Sequence, residues 1–190
     1  TSTKFDHGSS RIAYFDDSPT ILNLNDQRIW KSDDNGVSWS DMSSTFQDAK
    51  ISFLHIDKYH KERVFAISDS QTHWFTNDKG KLWKSFTIDE ELTVTKRLFI
   101  SENMNTPDNV LFKILDCSNI FDCTSSYYYT NDQFAQPPKK IESVANPMFC
   151  AYTATKSNGN IDDMICISNS HDAKGRIKST DVIQSKDYFK

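Results

Sequence analysis

Ser32-Asp33-Asp34-Asn35-Gly36-Val37-Ser38-Trp39 and Thr76-Asn77-Asp78-Lys79-Gly80-Lys81-Leu82-Trp83 share the pattern S/T-x-D-x-G-x-x-W, 44 residues apart. Each copy follows a short aromatic run, Ile29-Trp30-Lys31 or His73-Trp74-Phe75. Four fixed positions matched twice, at a spacing of one small antiparallel sheet, indicate a repeat architecture. The phrase also has a local physical logic. The chain must reverse between Trp30 and Trp39, and Gly36 is the residue best able to take the positive φ that such a turn demands; Gly80 does the same in the second copy. The Asp34 and Asp78 carboxylates accept hydrogen bonds from amides of their own loop, supported by the Ser32 and Thr76 hydroxyls. Trp39 and Trp83 open the returning strand, where a large ring covers the turn. With these groups consumed in closing the turn, a structural role is expected for them, not a metal or ligand site.

Short alternating runs broken by polar turns recur around the two phrases, the signature of antiparallel sheets. Strands are expected at 11–15, 20–24, 28–31 and 39–40, then at 51–56, 64–67, 72–75 and 83–86. A third copy runs through 97–100, 110–115 and 126–129 to Thr130-Asn131-Asp132, without the following glycine and tryptophan. A fourth runs through 148–152, 164–167 and 176–178 to Ser179-Thr180-Asp181 and closes at 187–190. Openings at 32, 76, 130 and 179 lie 44, 54 and 49 residues apart, a blade-sized period. The phrase resembles the Asp-box, or bacterial neuraminidase repeat, of the third-to-fourth strand hairpin of β-propeller blades. The fold expected is all-β, a propeller of four-stranded antiparallel blades. It comprises a flexible segment 1–10 and a partial propeller 11–190, with blades at about 11–46, 50–92, 96–143 and 147–190.

Composition fits an extracytoplasmic β protein. Of 190 residues, 25% are charged and 13% aromatic, which excludes a disordered chain, and no apolar run approaches membrane-spanning length. The net charge of −4 is mild and the 22 Lys and Arg form no basic stripe, which argues against a nucleic-acid partner. The opening Thr1-Ser2-Thr3-Lys4 carries no apolar leader, so a processed or excised segment is expected. With 5 Gly and 5 Pro, the turns must lean on Asn, Asp and Ser.

Four cysteines, Cys117, Cys123, Cys150 and Cys166, allow three disulfide connectivities. Local pairing is favoured: Cys117 would end one strand and Cys123 precede the next, while Cys150 and Cys166 would face each other across adjacent strands and clamp the polar insert 156–160. Four free thiols are the alternative. Bridges would place the chain in an oxidising compartment. No C-x-x-C occurs and the five His lack ligand spacing, so neither metal nor cofactor is expected. The sequence holds no N-x-S/T acceptor for glycosylation.

Residues 12–18, Ile12-Ala13-Tyr14-Phe15-Asp16-Asp17-Ser18, the paired Asp-boxes at a one-blade offset, the T-N-D turns, the Phe149-Cys150-Ala151 and Met164-Ile165-Cys166-Ile167 runs and the two local cysteine pairs together resemble the sortilin family. The likeness is greatest to its fungal vacuolar protein-sorting branch, whose receptors carry carboxypeptidase Y, and it covers nearly all of residues 11–190. It implies a ten-bladed luminal propeller of which these would be the first four blades. The partners would be polypeptide cargo, such as a propeptide-bearing hydrolase, and the remaining blades of the parent chain. The parent would be a type I membrane protein of the Golgi and endosomal lumen, reaching the membrane only through an anchor that this stretch lacks. Blades three and four depart from the pattern in lacking the box glycine.

Cargo contacts in such propellers lie on inner strands, away from the boxes. Phe53, His55, Phe65 and Phe99 are candidates by position, with core packing the competing role, and the ligand contacts are otherwise unassigned. His55 and His60 are candidates for pH-dependent release. Two other classes compete with a receptor: a non-receptor assembly or adhesion propeller, and a sialidase-like glycoside hydrolase. The sialidase would need an arginine cluster and a catalytic Tyr/Glu pair. Arg11-Ile12 is followed by Ala13 where that enzyme's R-I-P element needs proline, and the five arginines form no recognisable set. Adjacent carboxylates such as Glu90-Glu91 and Asp162-Asp163 would point to opposite faces of a strand or into solvent. No catalytic residue is assigned.

Overall fold

In the computed structural model, which describes residues 4–5, 7–93, 95–119, 122–145, 147–156, 162–172 and 176–185, the alternating segments form four antiparallel sheets. The chain divides into two units, residues 1–92 and 93–190.

The first unit holds two four-stranded meanders. Strands β1 (Ser9–Tyr14), β2 (Ile21–Asn25), β3 (Arg28–Ser32) and β4 (Ser40–Asp41) pair in chain order, as do β5 (Ile51–Ile56), β6 (Val64–Ser68), β7 (Thr72–Thr76) and β8 (Lys84–Thr87). Between β2 and β3 the chain reverses in two residues, Asp26 and Gln27, both at positive φ (48° and 60°), the twist that a tight hairpin between right-handed strands requires. Register puts Ala13, Leu22 and Leu24 on one face of the first sheet, and Leu54, Ala66 and Trp74 on one face of the second. These faces bury against each other with Ile29, Ile51 and Val64. Phe46, which ends the 3-10 turn Ser43–Phe46 between the sheets, joins the same core at 1% exposure. The second sheet is apolar on its other face too. Phe65 lies 6.2 Å from Phe75 and 6.4 Å from Phe86, which explains why β6 is buried at all five positions.

The second unit repeats the plan. Strands β9 (Lys96–Glu102), β10 (Val110–Asn119), β11 (Asp122–Thr130) and β12 (Lys139–Lys140) form one sheet; β13 (Pro147–Lys156), β14 (Asp162–His171) and β15 (Ile177–Ser185) form the other, three-stranded among the described residues. Leu111, Tyr127 and Tyr129 of the first meet Cys150, Met164 and Cys166 of the second. The Tyr127 hydroxyl and the Lys113 ammonium both donate to the Met148 carbonyl at 2.9 Å, pinning the two sheets together.

Both disulfides are the local pairs. Cys117 and Cys123 face each other near the tip of the β10–β11 hairpin, with Cα atoms 4.0 Å apart. Cys150 and Cys166 are directly opposed across β13 and β14 at 4.1 Å. Of the insert at 156–160, residues 157–160 lie outside the described residues.

One expectation needs correction. Ser179 and Asp181 do not open a fourth turn. They lie inside β15, where the Ser179 hydroxyl meets that of Ser170 at 2.6 Å and the Thr180 hydroxyl donates to Asn169 Oδ1 at 2.8 Å. Hydroxyls bonded across the strands are not available to close a loop. Ser185 is the residue that ends β15, as Ser32, Thr76 and Thr130 end β3, β7 and β11. Like them it is buried, at 7% exposure. Ser185-Lys186-Asp187 keeps the S/T-x-D order, with residues 186–190 outside the described residues. Within the segment 1–10, expected to be flexible, β1 starts at Ser9 and the Phe5 ring stands edge-on against Trp30 and Trp39.

Candidate functional site

Three turns repeat one hydrogen-bonded loop, and its chemistry is local. In the first, the Ser32 hydroxyl donates to Asp34 Oδ1 at 2.8 Å and accepts from the Gly36 amide at 2.8 Å. The Ser38 amide and hydroxyl then donate to the two Asp34 oxygens at 2.8 and 2.6 Å. The Ser38 hydroxyl, the Ser38 amide and the Ser32 hydroxyl all favour the anion, and they hold the Asp34 carboxyl down to about 2. In the second turn Thr76 donates to Asp78 Oδ1 at 2.7 Å, and that oxygen also accepts from the Lys81 and Leu82 amides at 3.0 and 2.9 Å. Burial of Asp78 opposes its ionisation, but these donors outweigh it and its pKa is lowered.

The third turn closes without glycine. Thr130 donates to Asp132 Oδ1 at 2.9 Å, while Gln133 and Phe134 carry the positive φ (55° and 62°) that Asn35-Gly36 and Lys79-Gly80 carry elsewhere. A phenylalanine in the left-handed region is strained. The Phe134 ring packs 5.9 Å from Phe112, a contact that a glycine would not make.

The second turn is also a contact between sheets. Lys79 Nζ reaches Asp17 at 2.8 Å and Glu62 at 3.3 Å. A Cβ placed on Gly80 would meet Leu22 Cδ2 at 3.0 Å, whereas one on Gly36 would find its nearest atom at 3.6 Å. Leu22 belongs to the core of the preceding sheet, so Gly80 serves both its own turn and the packing beneath it.

A further repeat was not recognised from the sequence. The Asp57 amide donates to the Arg63 carbonyl at 3.0 Å, and Asp57 Oδ1 accepts from the Tyr59 and His60 amides at 2.7 and 2.8 Å. Asn103 and Asn109, 46 residues on, repeat the backbone bond at 3.2 Å, and Asn103 Oδ1 accepts from Asn105 and Thr106 at 2.8 and 3.1 Å. The signal was present as D/N-x5-R/N-V, but its Asp/Asn and Arg/Asn exchanges hide it from residue matching. In the first of these loops the Arg63 guanidinium donates from Nε to Asp57 Oδ2 at 2.6 Å and forms an ion pair with it, Nη2 lying 2.5 Å from the same oxygen, both side chains being buried. Arg28 sits 3.7 Å from Asp41, and Arg176 bonds Asp172 at 2.8 Å. These three arginines therefore answer carboxylates of their own sheet. Among the described residues no group of three or more His, Cys, Asp or Glu is arranged to hold a metal ion.

The candidates chosen by position fall into two groups. Phe65 is fully buried, packed on Phe75, Phe86 and the His55 ring, and so belongs to the core. Phe53 and His55 lie on β5 opposite Ile67 and Phe65, both partly exposed, and Phe99 on β9 is 48% exposed. β5 and β9 are edge strands of their sheets, at the edge away from the Asp-box turns. His60 donates its amide to Asp57.

Residues 27–190, which contain both disulfides and all three turns, match the family described as Sortilin-Vps10, sortilin, neurotensin receptor 3. The chain belongs to the Sortilin-Vps10 family. Among curated relatives it is similar to the Vacuolar protein sorting/targeting protein 10 of Sordaria macrospora, 30% identical over all of this chain and 13% of the relative. It is likewise similar to those of Debaryomyces hansenii and Candida dubliniensis, each 31% identical over 93% and 94% of this chain and 12% of the relative. The chain thus spans about an eighth of the length of these Vps10 relatives. Among solved structures, "YCF48 bound to D1 peptide" is 10% identical with a TM-score of 0.47, covering 96% of this chain and 56% of that one. Four-stranded meanders with Asp-box hairpins are the β-propeller blades of this family member.

Proposed function

We propose that this chain is the N-terminal part of the luminal propeller of a sorting receptor. The receptor binds soluble hydrolases or other polypeptides in the Golgi and carries them to the vacuole or endosome. The match of residues 27–190 to the Sortilin-Vps10 family carries this reading. It is supported by the relatives' name, Vacuolar protein sorting/targeting protein 10, and by two disulfides, which suit the secretory pathway. On this reading residues 11–190 are four blades of a ten-bladed ring whose other blades lie elsewhere in the parent, and the parent is held to the membrane by a segment outside this stretch. The turns built on Asp34, Asp78 and Asp132 maintain the blades. Cargo is bound at the edge strands that carry Phe53, His55 and Phe99, and the protein performs no catalysis.

The test is deletion of the parent gene in its source organism, followed by assay of propeptide-bearing vacuolar hydrolases in the medium. The expected result is secretion of at least one hydrolase, reversed by the intact gene. Unchanged retention of all of them would overturn the proposal.

A further inference from the structure

The two disulfides sit in very different surroundings. Cys150 and Cys166 are 2% and 0% exposed and belong to the core that joins the two sheets of the second unit, with Leu111, Tyr127 and Met164. Cys123 is exposed and Cys117 only partly buried. The difference follows from the length of one hairpin. In the first two sheets the second and third strands span 21–32 and 64–76, whereas β10 and β11 span 110–130. β9 follows β10 only as far as the Lys96–Asp116 pair, and β12 pairs with β11 only at Tyr128 and Tyr129. The Cys117–Cys123 bridge therefore lies on a two-stranded ribbon that no third strand flanks among the described residues.

The two sides of the ribbon are held unequally. The Cys117 amide donates to the Thr95 carbonyl at 3.1 Å, and the neighbouring Asp116 carboxylate lies 3.9 Å from Lys96 Nζ. Residues 123–126 of β11 have β10 alone as a strand partner among the described residues. A disulfide exchanges only when a thiolate can reach one of its sulfurs. Here the sulfur that solvent reaches most readily, that of Cys123, is also on the less braced strand.

We propose that Cys123 is a site of reversible S-thiolation by a small thiol of the glutathione class, with Cys117 as the leaving sulfur. The incoming thiolate attacks Cys123 Sγ. A new S–S bond forms there as the Cys117–Cys123 bond breaks, and the bonding pair departs on Cys117 Sγ as a thiolate, which takes a proton from water. Return attack by Cys117 on Cys123 Sγ expels the small thiol and restores the bridge. Attack by a second small thiol on the bound one instead leaves both cysteines reduced and releases the small-molecule disulfide. The bond to Thr95 keeps Cys117 in place, so the ribbon opens at its Cys123 side. Cys150–Cys166, sealed in the core, does not exchange while the chain is folded. The site is independent of the sorting role and of the inner-strand candidates.

The folded chain is incubated with reduced glutathione and quenched with acid at intervals, and its free thiols are alkylated before peptide mapping, with the chain in urea as control. Cys117–Cys123 should open at least about tenfold faster than Cys150–Cys166 in buffer, and the preference should vanish in urea. Equal rates in buffer, a Cys117–Cys123 bridge that stays closed in buffer, or a preference that persists in urea would each overturn the proposal. A second arm replaces glutathione by sulfite, which leaves a sulfonate on the sulfur it attacks and frees the other as a thiol. The sulfonate is expected on Cys123 and the alkylated thiol on Cys117. Sulfonate on Cys117, or shared equally between the two, would overturn the assignment of Cys123 as the attacked sulfur.

Discussion

His73 is a side chain whose charge this fold disfavours. It lies on β7, fully buried, with its ring 5.4 Å from Phe86, and neither ring nitrogen has a hydrogen-bond partner among the described residues. Burial pushes its pKa down from the ordinary 6.5 to about 4. Between those values the unfolded chain binds a proton that the folded chain refuses. Its contribution to stability is therefore complete above pH 6.5 and is lost as the pH falls toward 4. The full displacement is worth about 3 kcal/mol, of which roughly half is lost by pH 5.5 and most by pH 4.5. The carboxylates do not confuse the measurement: Asp34, held near 2, loses its contribution only as the pH falls below the ordinary 3.8. The assay is urea unfolding of the unaltered chain and of His73→Phe at pH 7.5, 5.5 and 4.5. Phenylalanine keeps a ring beside Phe86 and removes the titrating group. The stability of the variant relative to the unaltered chain should rise by the amounts above as the pH falls. Parallel pH profiles for the two proteins would refute the reasoning. The interval spans the drop in pH along the secretory pathway, so the same measurement reports whether this blade loosens in acid.

Three further outcomes can be checked by melting and denaturation. Gly36→Ala should cost about 1–2 kcal/mol from its left-handed backbone alone, whereas Gly80→Ala should cost about 1–3 kcal/mol more from overpacking against Leu22; equal costs would mean that Leu22 yields freely. Arg63→Met leaves the buried Asp57 carboxylate without its counter-ion and should destabilise by about 3–5 kcal/mol, while Arg28→Ala, at a largely exposed pair, should change stability by about 0–1 kcal/mol. Asp78→Ala removes the acceptor of the Thr76 hydroxyl and of the Lys81 and Leu82 amides and should cost about 1–3 kcal/mol, with peptide preference unchanged. An altered preference at an unaltered melting temperature would contradict the structural role.

Where the repeat was legible, one turn's needs were met by adjacent residues. Ser32, Asp34 and Gly36, like Thr76, Asp78 and Gly80, supply hydroxyl, carboxylate and positive φ within five residues, so a short pattern locates them. The third turn was found through Thr130 and Asp132 although Phe134 stands in place of glycine. The fourth was misassigned, because Ser179-Thr180-Asp181 carries the same letters but pairs across β14. Local spelling does not distinguish a hydroxyl that closes a turn from one that bridges two strands.

Composition, periodicity and the repeated turn were enough to specify an antiparallel blade architecture and to favour the local cysteine pairs among three connectivities, because strand alternation, hairpin chemistry and close cysteine spacing act over a few residues. Tertiary structure alone decided that Phe65 is core and Phe99 exposed, that Gly80 is fitted to Leu22 as well as to its own turn, that His73 is sealed away from water, and that Phe5 fills the groove Phe46 fills one blade later. Each depends on which faces of neighbouring sheets meet, and that is set by side chains brought together from distant parts of the chain.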